Sequence, residues 1–182
     1  MERIQINNGV VFSPFYVFIK GVGKLTDKNL LESFGIKNAE IVSDRTGINK
    51  STSLFITEDS KWIHLMDYWD YSLYHNEIEN GYIQKLSEGF DIFTCSVGDS
   101  DKSFEFKYFV DGQLIREYMV EGPNYKGGRV ARNYGTKLIS EESALLNEDE
   151  LDKVVEIAKG IGIEFEHSKE KIRHYKYIDK YN

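Results

Sequence analysis

The sequence predicts an α+β fold in which one mainly antiparallel sheet of about six to seven strands packs with three to four helices. Three observations lead to this prediction: short runs rich in aromatic and β-branched residues, hairpin-length connections between neighbouring runs, and stretches whose apolar residues recur at helical spacing. Because 182 residues are enough to bury one compact core, we expect a single domain over residues 1–182.

The N-terminal half reads as a strand, a helix and three further strands. FYVFIKG (15–21) gives the first strand signal. Thr26 is placed to cap a helix that ends at Gly35. Three strands are then expected at AEIVSD (39–44), TSLFIT (52–57) and KWIHLM (61–66).

The middle of the chain repeats this order. A helix is expected within 76–89, where Asn76 and Glu79 have the form of a capping box. Strands are expected at 91–97, 103–110 and 113–121, the last two joined by the hairpin signal Asp111-Gly112. With a two-residue turn, Phe106 opposes Glu117. The core face then carries Phe104, Phe106, Tyr108 and Val110, whereas Glu105, Lys107, Phe109 and Arg116 point to solvent.

Two copies of a helix followed by three strands favour an internal duplication, with half-units at 15–66 and 76–121. Residue identity between the halves is slight, and any α+β chain can show this order, so chance explains the pattern equally well. A loop and C-terminal helices are expected over 122–182.

Within that last region we expect GPNYKGGRVARNYGTKL (122–138) to be irregular. Asn147 and Glu150 predict a capping box for a helix at 148–159, ended by Gly160. Ile172, Tyr175 and Ile178 recur at three-residue spacing, which is compatible with a short last helix.

Composition narrows the function classes. Cys95 is the only cysteine, which excludes an intramolecular disulfide and a cysteine-built zinc site and favours a reducing compartment, the cytoplasm. We see no secretory leader and no run approaching the ~18 apolar residues of a membrane span. The net charge of −7 disfavours nucleic acid and anionic lipid and favours a basic partner.

DYWDYSLYH (67–75) is the candidate partner-binding segment. It sets Tyr68 and Tyr71 beside Asp67 and Asp70. Tyrosine offers a large contact area with a polar tip, so this cluster is typical of a protein-binding surface. In the alternative interpretation, Trp69 and one or two tyrosines simply fill the gap between helix and sheet.

GGRVARNYG is the candidate anion site. Its glycines expose backbone N–H groups, and Lys126, Arg129 and Arg132, with Lys137 just beyond, could hold a phosphate or carboxylate. The alternative is that acidic residues of the following segment, 141–152, neutralise these cations within the molecule.

No residue pattern supports catalysis. His64 shares a strand face with Trp62 and Met66, where a hydrogen-bonded core histidine is the expected role. His75 could act with Asp67 or Asp70, but spacing does not establish their geometry. Because serine-hydrolase, zinc-protease and cysteine-histidine metal motifs are missing from the sequence, we assign no catalytic residue, metal site or cofactor.

The combination of WIHLMDYW, a helix ending in KLSEG, DIFTCSV and the hairpin SFEFKYFVDGQLIREY resembles small bacterial α+β proteins of the immunity type. The resemblance covers roughly 52–121. It implies a protein that works by binding a toxin, and it assigns no functional residues.

Our first hypothesis is therefore a non-enzymatic protein-binding domain, which uses an acidic and aromatic surface around residues 67–75 and the acidic stretch at 141–152. The alternative is a small-molecule or nucleotide-binding domain, or a small enzyme, that uses the Gly/Arg loop 122–138 near His64 or His75. A third hypothesis is a structural subunit that self-associates through an exposed sheet edge.

Overall fold

A computed structural model describes residues 5–6, 9–10, 15–42, 53–68, 73, 80–98, 102–122, 128–165 and 172–177. Within them, the helices are α1 (Asp27–Ser33), α2 (Tyr82–Leu86), α3 (Glu141–Ala144) and α4 (Glu150–Gly160). The strands are β1 (Gln5–Ile6), β2 (Gly9–Val10), β3 (Phe15–Lys20), β4 (Glu40–Ile41), β5 (Ser53–Glu58), β6 (Trp62–Tyr68), β7 (Ile92–Val97), β8 (Phe104–Val110), β9 (Gln113–Glu121), β10 (Arg129–Gly135) and β11 (Arg173–Lys176).

Nine of these strands form one antiparallel sheet in the order β10-β9-β8-β7-β3-β6-β5-β11-β4, and β1 pairs separately with β2. β3 occupies the centre. Its side chains alternate between two buried clusters, Phe15, Val17 and Ile19 on one face and Tyr16 and Phe18 on the other. A strand buried on both faces needs a nearly continuous apolar sequence, which explains FYVFIK.

Helices cover both faces of the sheet. On the first, face A, the α4 residues Val154, Ile157 and Ala158 pack in one cluster with strand residues that include Phe93 and Phe106. On the second, face B, the packed helix residues are Leu30 and Leu31 of α1 and Ile83 of α2. The α+β class and the antiparallel sheet are thus confirmed.

Several local predictions are also confirmed. The Thr26 hydroxyl accepts a hydrogen bond from the Asn29 N–H at 3.2 Å and caps α1, and Gly35 follows with a φ of +75°. The cap of α4 is Asp149 instead of Asn147, because the Asp149 carboxylate accepts from the N–H groups of Leu151 and Asp152. This correction moves the start of the helix to residue 150.

The sheet is larger than the predicted six to seven strands because two segments were assigned wrongly. Residues 129–135, expected to be irregular, pair with β9 as the edge strand β10. Residues 173–176, expected to be helical, form β11 and insert between β5 and β4. Arg173 and Tyr175 of β11 both donate hydrogen bonds to Asp27, so this strand is held by a residue 146 to 148 positions away.

The predicted duplication is not reflected in the sheet. β7, β8 and β9 form a continuous meander, whereas β11 separates β4 from β5. Since β11 is antiparallel to both neighbours, β4 and β5 run in the same direction, unlike β7 and β8. The repeated order along the chain does not correspond to a repeated arrangement in space.

The β8–β9 hairpin follows the predicted register only near its turn. Val110 pairs with Gln113 and Phe109 with Leu114, but a bulge then shifts the register so that Tyr108 pairs with Arg116. The predicted pairing of Phe106 with Glu117 is therefore wrong. One extra residue, Ile115, moves the next side chain to the opposite face, and Arg116 enters the core.

Candidate functional site

Arg116, displaced by the bulge, forms a buried two-point ion pair with Glu141 at the start of α3. Arg116 Nε donates to Glu141 Oε2 at 2.8 Å, and Arg116 Nη2 donates to Glu141 Oε1 at 2.5 Å. The two side chains are 0% and 1% exposed. This geometry matches a planar guanidinium to a planar carboxylate and fixes their relative orientation.

The third nitrogen of Arg116 connects to the edge strand. Nη1 donates to Asn133 Oδ1 at 2.8 Å and to the Tyr134 carbonyl at 2.7 Å. The guanidinium also lies over the Tyr118 ring, 5.3 Å from its centroid. One side chain of β9 thus contacts both β10 and α3.

The connection between β10 and α3 is fixed at both ends. At the β10 end, Gly135 has a φ of +83°, and a Cβ there would overlap the carbonyl oxygen of Ile115 in the bulge. At the α3 end, Glu141 Oε2 also accepts from the Leu138 N–H at 3.1 Å. These contacts fix the position of the connection between β10 and α3 relative to β9.

The segment around this connection exposes apolar side chains. Among the described residues, five large hydrophobic side chains are exposed, and four of them lie within positions 130–146: Val130 48%, Tyr134 58%, Ile139 101% and Leu146 84%. Ile139 and Leu146, which flank α3, and Val130, which lies on the same face A, define what we call the β10–α3 surface, whereas Tyr134 pairs with Glu117 and points to face B. Single exposed hydrophobics are ordinary, but a concentration in one segment indicates an interaction site.

Ile139 and Leu146 flank the single turn of α3, one before its N-cap Ser140 and one after its C-cap Leu145, and both side chains are exposed. Ala144 lies on the buried side with Glu141. Leu138 and Leu145, the neighbours of Ile139 and Leu146, are partly buried against the face A cluster.

Exposed acidic groups occur in the same segment as these apolar side chains. Glu142 is exposed and pairs with exposed Lys137 at 3.0 Å. Glu148 and Asp149 are exposed as well, at the start of α4. The acidic stretch 141–152 therefore contains one buried structural carboxylate, Glu141, and several that face solvent.

Two of the candidate anion-binding residues, Arg129 and Arg132, lie on β10. Arg129 contacts Glu121 at 2.7 Å, and Arg132 lies 3.6 Å from Glu117. Both of these acids are on β9, whereas Lys137 pairs with Glu142 of the segment 141–152 at 3.0 Å. Lys126 lies outside the described residues. Arg132 also lies on face B, five strands from β6, whereas His64 of β6 points to face A. These two residues do not form one site.

The candidate partner-binding residues fall partly outside the described chain. The backbone of Asp67 pairs with Phe15 and Leu54, and that of Tyr68 pairs with Ser53, so both end β6. Asp70 and Tyr71 lie beyond the described residues. Five strand spacings of about 4.8 Å place β6 about 24 Å from β10.

His64 has the predicted structural role. It is buried against Phe18, and its Nε2 lies 2.9 Å from Asp59 Oδ2. Burial opposes the charged form of Asp59, but hydrogen bonds from His64 and three backbone N–H groups outweigh it and lower the pKa of Asp59. Burial also lowers the pKa of His64, against the attraction of Asp59. The pair is therefore a neutral imidazole donating to a carboxylate.

A buried carboxylate also occurs on face B. Glu105 accepts from the Ser96 hydroxyl at 3.3 Å. Burial raises the pKa of Glu105; Lys107 and Ser96 oppose this shift, and Glu117 adds to it. Cys95, on face A, is buried, and burial raises the pKa of its thiol. Within the described chain, neither Glu105 nor Cys95 lies next to a pair of side chains that could act as nucleophile and base.

No three His, Cys, Asp or Glu side chains among the described residues are arranged to hold a metal ion. No helix in the same residues is long and apolar enough to cross a membrane. No protein-family model, curated protein or solved structure matches the chain.

Proposed function

We propose that this protein is a non-enzymatic protein-binding domain that engages a basic partner through the β10–α3 surface. The observation behind the proposal is the exposure of Ile139 and Leu146, which hold apolar area in water with no structural benefit to the domain itself. Burial of such side chains at the centre of an interface is the usual source of binding energy.

Rigidity supports the same proposal. Association is weakened when side chains and loops must be ordered on binding. Here Arg116 and Glu141 already hold α3 against β9. Partner binding would then need little reorganisation of this surface.

Charge supports a basic partner. Glu148 and Asp149 are exposed in the same segment as Leu146, and the whole chain carries a net charge of −7. Acidic groups at the rim of an interface accelerate association with a basic protein and make it sensitive to salt. Cations at the rim, such as Lys137, are already paired.

The partner class follows from the resemblance to immunity-type proteins, which favours a toxin met in the cytoplasm. Asp67, Tyr68, Asp70 and Tyr71 remain a proposed second contact. A standard interface buries about 800 Å² on each side, so a partner that also contacts these residues, at the end of β6 and beyond, needs a larger interface than the standard size.

Site-specific photo-crosslinking tests the proposal. A photoreactive phenylalanine replaces Ile139 or Leu146 in two separate proteins, and Ile41, exposed on β4, in a control. After irradiation in native cell lysate, we expect one adduct of defined mass from positions 139 and 146, suppressed by excess wild-type protein and by higher salt. Equal adducts from all three positions, or none from any, would reject the proposal.

A further inference from the structure

We infer that a cleft at one end of the sheet binds a small zwitterion of tripeptide size, which is a second binding activity separate from the β10–α3 surface. The cleft has a volume of about 410 Å³, within the range of small-molecule sites. Its walls come from the ends of β3, β6, β7 and β8.

One wall is basic. The backbone of Gly21 joins its two lysines, because the Gly21 N–H donates to the Lys61 carbonyl at 3.0 Å and the Lys24 N–H donates to the Gly21 carbonyl at 3.0 Å. The ammonium groups of Lys24 and Lys61 form no ion pair with any residue that the structure describes. They are available to an anionic group of a ligand.

The opposite wall is acidic. Glu88 and Asp111 are brought together where the Gly112 N–H donates to the Ser87 carbonyl at 2.8 Å, and Glu88 packs against Gly112. Within the described part of the chain, these two carboxylates also lack an ion-pair partner. They are available to a cationic group.

The middle of the cleft is neutral and partly apolar. Lys20 and Asp91 pair across it at 2.9 Å and cancel each other's charge. Phe90 packs so closely against Gly21 that a Cβ on that glycine would lie 2.9 Å from the ring. An uncharged, partly apolar segment suits this position.

Strand spacing sets the length of the ligand. The sheet order β6-β3-β7-β8 places the basic and acidic walls three strand spacings apart, about 14 Å between backbones. An extended tripeptide is about 10 Å long, and lysine and glutamate side chains reach across the remainder. A ligand with its amine and carboxylate at opposite ends and an apolar centre fits all three zones.

The test uses glycyl-leucyl-glycine as the probe and the full chain labelled with ¹⁵N. We expect saturable amide shift changes at Gly21, Gly89, Phe90 and Asp111. Acetylation of the peptide amine or amidation of its carboxylate should each weaken binding. Lys61→Gln and Asp111→Asn should each weaken binding about two- to fivefold, as expected for exposed charge pairs. Lys37→Gln, an exposed lysine elsewhere, is the matched control and should change nothing.

Two results would overturn the inference. The first is the absence of saturable shifts at the cleft. The second is binding that survives acetylation of the amine and is unchanged by Asp111→Asn, which would make the cleft a site for anions alone. Neither result bears on the β10–α3 surface, since the probe and the variants lie in the cleft.

Discussion

Arg116 and Glu141 are joined by two hydrogen bonds, with neither side chain reaching solvent, and through them β9 holds α3 and the exposed Ile139 in place. Buried polar side chains in this protein thus support an exposed apolar surface. The arrangement has consequences for stability that can be measured independently of any partner.

Glu141→Gln should cost about 3–5 kcal/mol in the free energy of unfolding, because it leaves the Arg116 charge buried without a counter-charge. Urea unfolding at neutral pH measures this loss. Glu142→Gln is the matched control: Glu142 is adjacent in sequence, but its pair with Lys137 is exposed and worth at most about 1 kcal/mol. Equal small losses in the two variants would contradict the role of Arg116 and Glu141.

Gly135→Ala should destabilise the protein more than Gly23→Ala. Both glycines have positive φ, +83° and +80°, and a side chain there costs about 1–2 kcal/mol. A Cβ at Gly135 would in addition overlap the Ile115 carbonyl, whereas the space at Gly23 is open. Thermal or urea unfolding compares the two variants, and equal losses would mean that the bulge does not contact Gly135.

Asp59→Asn should destabilise the protein by about 1.5–3 kcal/mol at neutral pH, since at least one hydrogen bond to a buried carboxylate is lost. The pKa of Asp59 in the folded protein lies below its usual 3.8, so its stabilisation is complete above that pH and disappears as the pH falls further. Unfolding curves of the two proteins should therefore converge in acid. A difference that is constant with pH would contradict the assignment.

Glu105→Gln should stabilise the protein at pH 7. Burial holds the pKa of Glu105 above its usual 4.5, so below pH 4.5 the carboxyl is protonated in both states and costs nothing. As the pH rises, the unfolded chain loses this proton more readily, which favours unfolding. The gain from Gln should thus appear only above about pH 4.5. A loss of stability at pH 7 would mean that the ionised form is the preferred one.

Elements with strong local signals were predictable from the sequence. FYVFIK has the continuous apolar pattern of a central strand, Thr26 and Gly35 bound α1, and Asp111-Gly112 marks the hairpin turn. Each of these depends on residues within a few positions of one another. The α+β class follows from their order.

The remaining features depend on contacts between distant residues. β10 carries two arginines and an asparagine and shows no apolar alternation, because an edge strand is held by its backbone and by Arg116. Ile172, just before β11, and Tyr175 within it are at helical spacing, yet β11 pairs with β5, more than a hundred positions earlier. The bulge at Ile115 reverses the direction of every later side chain in β9, and no local pattern announces it.

The candidate site was predictable only in its general region. Acidic residues at 141–152 were expected to face a partner, and Glu142 and Glu148 are exposed. Ile139 and Leu146 were not foreseen because apolar residues are ordinarily assigned to the core. Their exposure depends on Glu141, whose pairing with Arg116 determines which side of α3 is buried.

The most direct test of the account is parallel affinity capture from native cell lysate with three forms of the tagged protein: wild type, Ile139→Asp/Leu146→Asp, and the control Ile41→Asp. Because all three positions are exposed, the variants should unfold at nearly the wild-type temperature. We expect wild type and control to capture one basic protein in stoichiometric amount. The double variant should not capture it, and salt should release it. Equal capture of that protein by all three forms, or capture of no protein by any form, would contradict it.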